Sequence, residues 1–496
     1  MTDQLAAVSL RLQAPRARAF GVPDAGDEDC LQNINSTILP NGSLCWVINT
    51  STLYVLIKAA TAGSGNVIPI AGAGAWVPLS GSGVNMLPDL NLDAFGRLQV
   101  STPETIFDTK QIDQASSVLL VPTFLVNGGT ATYNASRSST FLNSNALVGG
   151  RAVRQTRRKF NYSPGKGQHI DVTLRATTPA VNTELTGGLY DDTNGIYFSV
   201  KDGPNAFWTI RSDAGNIGVP TETKVAQADW NVDVMDGSAS PSNPSGLTLD
   251  PTAQQVCTFL FEWLGAGDVQ VGFSIDNNFV PVHVFRHANI SSIIYMRTPN
   301  LPLRWEAINT GPSVGGTLES ICGTVISDGG VQQLGVRRAH FLNANLSVPA
   351  GETRELISIR LLGVSTANNA VAATFTTVFA EALSVLATSV DNILVLVGYN
   401  PTFAAGATAW GAPVGGALGS SVEVNTNGRL ITGTGLVMAA EFASTQVRVA
   451  EDAFDRVLAL GIDPASGIGD VISLMVQNAS AGATTVRGAL TWREIL

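Results

Sequence analysis

The sequence predicts an all-β chain: a small N-terminal β module followed by two β-sandwich, jelly-roll-like domains. Three observations carry that prediction. Charged residues are only 14% of the 496, against roughly 25% in ordinary globular proteins. Glycine takes 50 positions, and because helix surfaces favour long charged side chains while tight turns favour Gly and Asn, this exchange points to strands and turns. Short runs of β-branched and aromatic residues, about six to nine long, recur between Gly, Asn, Asp and Pro. A hydrophobic content of 45% excludes disorder.

Residues 1–29 are polar and broken by proline, and read as an N-terminal arm that is ordered by contact with something else. Residues 30–85 read as a small attachment module with four short strands, Ser43–Asn49, Thr52–Ala59, Asn66–Ile70 and Ala75–Leu79. Gly81-Ser82-Gly83 and Pro88 then read as a linker. Residues 86–335 read as the central sandwich. Its expected strands are Val118–Val126, Thr156–Tyr162, His169–Arg175, Gly195–Lys201, Ala206–Arg211, Val256–Leu264, Asp268–Ile275, Val280–Arg286 and Leu303–Ile308. Asp236–Pro251, rich in Ser, Pro, Gly and Asn, reads as an exposed loop. Residues 336–496 read as the C-terminal sandwich. In it Val422–Val424 and Arg429–Thr432 flank Asn427-Gly428, the signal of a type I′ hairpin whose central residues both take positive φ. Phe375–Ser389 reads equally as a helix or a strand.

Composition excludes several classes of function. A net charge of −10 and a pI near 4.9 argue against a nucleic-acid partner, since phosphate contacts need a basic face. Cys30, Cys45, Cys257 and Cys322 form no CxxC pair and read as buried thiols of a protein folded in a reducing cytoplasm. The first twenty residues lack the apolar run of a signal peptide, and no window is apolar enough to span a membrane.

Motifs for chemistry fail one by one. SPGKGQH (Ser163–His169) has Gly167 where a phosphate loop needs Ser or Thr, and reads as a Pro-Gly turn. YDDTNG (Tyr190–Gly195) departs from a calcium loop at its first and twelfth positions, and reads as a hairpin turn or an irregular surface cation site. The four histidines, His169, His283, His287 and His340, include one close pair, HVFRH, without the glutamate of a zinc helix. Asp191, Asp192, Glu262 and Glu306 are candidate paired acids for glycoside hydrolysis, but sequence spacing does not show the separation that mechanism needs. No GxSxG elbow occurs. We therefore expect no catalytic residue, no metal and no cofactor. Arg151, Arg154, Arg157, Arg158 and Lys159 cluster in a charge-poor chain and are expected to form a solvated face or a partner contact. Trp410 is the candidate for stacking on a glycan, while Trp208, Trp230, Trp263 and Trp305 read as core.

The segment DAFGRLQVSTPETIFDTKQ (Asp93–Gln111) resembles one recurring in virion structural proteins of tailed bacteriophages, labelled tail, fibre or head-associated. GLYDDTNGIYFSV (188–200), Glu262–Asn289, and YMRTPNLPLRWEAINTG running into SICGTVISDGG are similar to the same family, and together these blocks cover residues 93–330. TWREI (Thr491–Ile495) resembles endings in that group, and residues 30–80 resemble small attachment modules of phage appendages. The resemblance implies a non-enzymatic virion protein, made in the host cytoplasm, that forms a symmetric peripheral appendage: a fibre, spike, baseplate or capsid-decorating component. It implies other virion proteins as partners and a homotrimer, to which the charge and hydropathy above add no nucleic acid and no membrane. A carbohydrate-binding adhesin for a host surface glycan is the alternative, using Asp236–Pro251 and Ala404–Gly419, and a polysaccharide-degrading tailspike enzyme is a third.

Overall fold

Alternation builds the sheets. In Gln168–Thr178 the side chains of Ile170, Val172, Leu174 and Ala176 are fully buried, while His169, Asp171, Thr173 and Arg175 between them are half-buried. This is the period of a strand with one wet face. The structure, a computed structural model, describes residues 44–47, 52–57, 75–78, 102–111, 121–330, 335–362, 376–388, 392–405, 409–413, 420–444, 446–449, 459–463 and 467–495. Nearly all of the regular structure among them is strand, as the composition predicts.

The chain divides into two units, Met1–Asn91 and Leu92–Leu496. In the first, β1 (Leu44–Val47), β2 (Thr52–Ile57) and β3 (Ala75–Pro78) form an antiparallel sheet in that order. The arm, the strand expected at Asn66–Ile70 and the linker after Gly81 lie outside the described residues.

Among the described residues the second unit holds two large hydrophobic cores and two small clusters beside them. Strands around the first begin with β4 (Glu104–Lys110), β5 (Thr123–Val126), β6 (Thr130–Asn134), β7 (Ser139–Asn143), β8 (Arg151–Gln155) and β9 (Gln168–Thr178). They continue with β10 (Thr183–Tyr190), β11 (Gly195–Lys201), β12 (Asn205–Ser212), β13 (Thr221–Ala226), β14 (Gln255–Phe261), β15 (Val269–Ile275), β16 (Asn278–Phe285), β17 (Leu303–Asn309) and β18 (Thr317–Ser327). One sheet runs β13-β12-β11-β10-β17-β8-β5; the other runs β16-β15-β14-β9-β18-β7-β6, with β4 also on β18. Leu185, Phe198, Trp208 and Trp305 of the first meet Val172, Phe259, Phe273 and Val325 of the second. Trp305 lies wholly in this core, and its Nε1 donates across the sheets to the Thr173 carbonyl at 3.1 Å. Gly187 permits the close approach there, since a Cβ would stand 2.4 Å from Leu174 Cδ2.

The strand expected over Thr156–Tyr162 is displaced. Regular pairing covers Arg151–Gln155 and stops, leaving one bridge from Phe160 to Leu301. Arg157 and Lys159 then turn aside to acidic partners, which ends the alternation.

Around the second core lie β19 (Val336–Phe341), β20 (Leu346–Val348), β21 (Thr353–Leu361), β22 (Thr377–Ala387), β23 (Ile393–Tyr399) and β24 (Thr402–Phe403). After them come β25 (Val422–Asn425), β26 (Ile431–Gly433), β27 (Leu436–Ala443), β28 (Gln446–Val449), β29 (Val471–Asn478) and β30 (Thr484–Ile495). The sheets are β19-β30-β22-β28, with β20 also on β30, and β25-β21-β29-β23-β27; β24 and β26 pair separately. Within the segment 375–389 the strand β22 forms over Thr377–Ala387, not a helix. The hairpin expected at Asn427-Gly428 does not form: β25 pairs with β21 and β26 with β24, and of the two turn residues only Gly428 has positive φ, at 67°. Arg429 explains the crossing, since its guanidinium holds both oxygens of Glu355 at 2.7 Å and its carbonyl accepts the Glu355 N–H.

Candidate functional site

The outer face of the β10–β17 sheet carries an unusual set of side chains. Register places Thr186 opposite Glu306, Gly188 opposite Arg304 and Tyr197, and Arg304 opposite Gln155. Further out, Thr209 faces Tyr197, and Arg211 faces Glu222. All eight residues of β10 are buried, so this face is closed as well as the core face. The closing groups are charged and aromatic. The Arg211 guanidinium lies 5.0 Å from the Tyr197 ring centre, Arg304 lies 5.2 Å from that of Tyr190, and the two tyrosine rings are 4.6 Å apart.

The Tyr190–Gly195 turn is a hairpin, and it completes the network. Asp191 Oδ1 accepts the backbone N–H groups of Thr193 and Asn194 at 2.8 and 2.9 Å, which fixes the turn. Asp192 is thereby presented to Arg304 at 2.6 Å and Arg151 at 2.7 Å, and Arg151 reaches Glu306 at 2.7 Å. Burial works to raise these carboxyls, but the cations win. Arg304 and Arg151 hold Asp192 well below the usual carboxylate range, and Lys159 with the turn amides holds Asp191 low. Glu222, likewise resisting burial through Tyr197 and Arg211, is brought to about 2. Burial draws the Lys159 ammonium down, against the pull of Asp191 at 3.4 Å.

Where this face meets the second sandwich there is a cavity of about 250 Å³. Gln155, Arg157, Lys159, Asp191, Asp192 and Arg304 make one wall; Leu361, Thr376, Leu460, Ile462 and Asp463 make the other. Arg157 pins the sandwiches together, donating to both oxygens of Asp470 at 2.7 and 2.8 Å, while Tyr399 donates its hydroxyl to Asp470 at 2.6 Å. A second, wider hollow of about 690 Å³ beside Phe207 and Trp230 has Asp229 and Asp236 but no basic group in its lining, so the first has the richer chemistry.

The five clustered cations have separate partners within the chain. Arg151 and Lys159 join the network above, and Arg157 bridges the sandwiches. Arg158 donates to the Ile106 carbonyl at 3.2 Å. Arg154 points into the core, donates to Thr140 at 2.7 Å, and is drawn down to about 10 by burial. The solvated face or partner contact expected of this cluster is thus replaced by internal pairing. Trp410 is half-buried, with the guanidiniums of Arg360 and Arg429 at 4.2 and 5.5 Å from its ring centre, so cations already occupy its stacking surface. Of the candidate acids, Asp191, Asp192 and Glu306 come together, while Glu262 is buried at the end of β14 and does not line the cavity. Among the described residues no group of His, Cys, Asp and Glu is placed to hold a metal ion. Sequence reading gave no site role to Arg304, Tyr197, Arg211 and Asp470, and weighed Tyr190 only as the first position of a turn; charged residues alternating with Leu303, Trp305 and Ala307 were the available signal for Arg304.

No family model and no curated protein matches the chain. Among solved structures it is similar to a glycosyl hydrolase family protein from Mycobacterium fortuitum, with TM-score 0.30 and 9% identity over 45% of this chain and 99% of that one. It is also similar to the carbohydrate recognition domain of Emp46p, with TM-score 0.27 and 12% identity over 44% and 93%. A protein of unknown function from Shewanella oneidensis MR-1 gives TM-score 0.31 and 7% identity over 48% and 92%. Likeness this slight leaves function to the residues themselves.

Proposed function

We propose that the chain is a non-enzymatic binding protein that holds a neutral saccharide unit in the cavity between its two sandwiches. The observation that carries this reading is the cavity's two-sided lining. On one wall Lys159 meets Asp191 and Arg304 meets Asp192, Arg157 is paired with Asp470 outside the lining, and Asp463 stands on the other wall, so cations and carboxylates balance and neither sign of ion is singled out. Hydroxyl groups, which both donate and accept, suit such paired charges. On the other wall Leu361, Leu460 and Ile462 offer an aliphatic surface to the C–H face of a sugar ring. A volume of about 250 Å³ suits a single ring.

Hydrolysis is not part of the proposal. A glycosidase needs one carboxyl kept protonated near neutral pH, whereas Asp191 and Asp192 are both held low. A second reading concerns the setting: the protein serves as a structural component of a phage particle, assembled as a homotrimer and turned toward a host surface glycan. The blocks between residues 93 and 330 favour it, as does a charge fraction of 14%, which suits packing against other virion proteins.

Screening the intact protein on a glycan array, followed by calorimetric titration of the best ligand, tests the first reading. We expect binding without release of products, weakened about tenfold or more by Asp192→Asn and by Leu460→Asp. A folded protein that binds no glycan, or one that cleaves its ligand, sinks the proposal. Immunogold labelling of intact particles tests the second.

A further inference from the structure

We infer that one end of the central sandwich, formed by the loops at residues 215–220, 264–267 and 288–294, is a self-association surface that takes a second copy of this chain. The inference is independent of the saccharide reading. Six aliphatic side chains stand exposed there: Ile217, Val219, Leu264, Ile290, Ile293 and Ile294, each between 41% and 72% accessible. They lie in neighbouring loops. A Cβ on Gly215 would stand 3.8 Å from Ile293 Cδ1, and one on Gly265 would stand 3.0 Å from Ile294 Cγ2.

The loops are held in place from beneath. Arg297 donates to both oxygens of Asp213 at 2.8 and 2.6 Å, and the Gly218 N–H donates to the same carboxylate at 3.0 Å. The Tyr295 N–H donates to the Gly265 carbonyl at 3.2 Å, and the Tyr295 ring stacks on His287 at 4.1 Å. A surface ordered before contact loses less freedom when it binds.

Two considerations select a second copy as the occupant. The first is area. The six side chains form an apolar patch on the order of 500 Å², the upper end of what a monomer leaves bare. With exposed Pro220, Ala266 and Ala288 beside them, the patch approaches the roughly 800 Å² per partner of a standard interface. The second is charge. A chain of net charge −10 repels its own copies wherever carboxylates face each other, and residues 215–220, 264–267 and 288–294 contain no charged residue. Of the acids flanking these loops, the Asp213 side chain is fully buried against Arg297, Asp268 accepts the His287 N–H, and Glu222 is neutralised by Arg211 and Lys224.

Light scattering on the full chain across the micromolar range tests this. The wild-type protein is expected at a multiple of 51.8 kDa, the variant carrying Ile290→Asp with Ile293→Asp at the monomer mass with an unchanged circular dichroism spectrum, and Val314→Asp, an exposed site in the loop after β17, as wild type. A wild-type protein that stays monomeric throughout, or a double variant that assembles as wild type does, overturns the inference. If the double variant does not fold, Ser291→Cys treated with a short bismaleimide decides: crosslinked dimers beyond those of treated wild type are expected, and their absence overturns it.

Discussion

Trp305 sits buried between the two sheets of the central sandwich. Its ring fills the space a Cβ on Gly323 would enter at 3.1 Å, and its Nε1 spends its hydrogen bond on the opposite sheet. Trp305→Ala should cost about 3–5 kcal/mol through lost burial and a residual cavity, measured by urea unfolding and seen as lower folded yield. His283 makes a different demand. It is buried beside Phe285, its Nδ1 accepts the Asn231 N–H at 3.2 Å, and burial pulls it down to about 4. The unfolded chain binds this proton near pH 6.5, so the stability the neutral ring supports is complete above that pH and is lost as pH falls toward 4, by at most about 3 kcal/mol. Unfolding midpoints at pH 7 and pH 4.5 should differ more for wild type than for His283→Gln; equal differences would refute this. The strand at Leu303–Ile308 and the burial of Trp305 were legible in the sequence. The partners of Arg304 and Glu306 were not, because Asp192 and Arg151 reach them only once distant strands pair.

Alternation revealed a strand with one wet face such as β9, and β-branched and aromatic residues revealed β11 and β17 although both are nearly closed on two sides. The expected strands omitted β10, because TELTGGLY is buried on both sides and has no polar alternation to report it; they omitted β18, whose small residues lack β-branched density at its centre. β22 was ambiguous because its apolar run suits either period until β30 and β28 flank it. The loop after β8 has the largest consequence at this scale. From it Arg157 reaches Asp470, which also accepts from Tyr399, Asn400 and the Gly461 N–H. Removing one charge from so enclosed a pair leaves the other stranded, at a cost of about 3 kcal/mol. Asp470→Asn should therefore let the C-terminal sandwich melt ahead of the central one, giving two calorimetric transitions where wild type gives one; a single transition at an unchanged temperature would count against the link.

Taken as a whole molecule, the class was written in the composition: little charge, much glycine, and apolar residues in short runs. The placing of one sandwich against the other was not, since it depends on a handful of contacts between residues hundreds of positions apart, Arg157 with Asp470 and Asn161 with Ile495 among them. The strand order carries a further consequence, for how the chain is made. In each sandwich a strand at the heart of a sheet is the last one synthesised: β18 joins β9, β7 and β4, and β30 joins β19, β22 and β20. While the ribosome is still working toward Ser327, β4, β7 and β9 wait with no central strand between them, and the apolar faces of β9 and β7 stay open to other nascent chains. Each sandwich should then close late and at once, so translation arrested shortly before β18 or β30 should yield protease-sensitive, aggregation-prone chains.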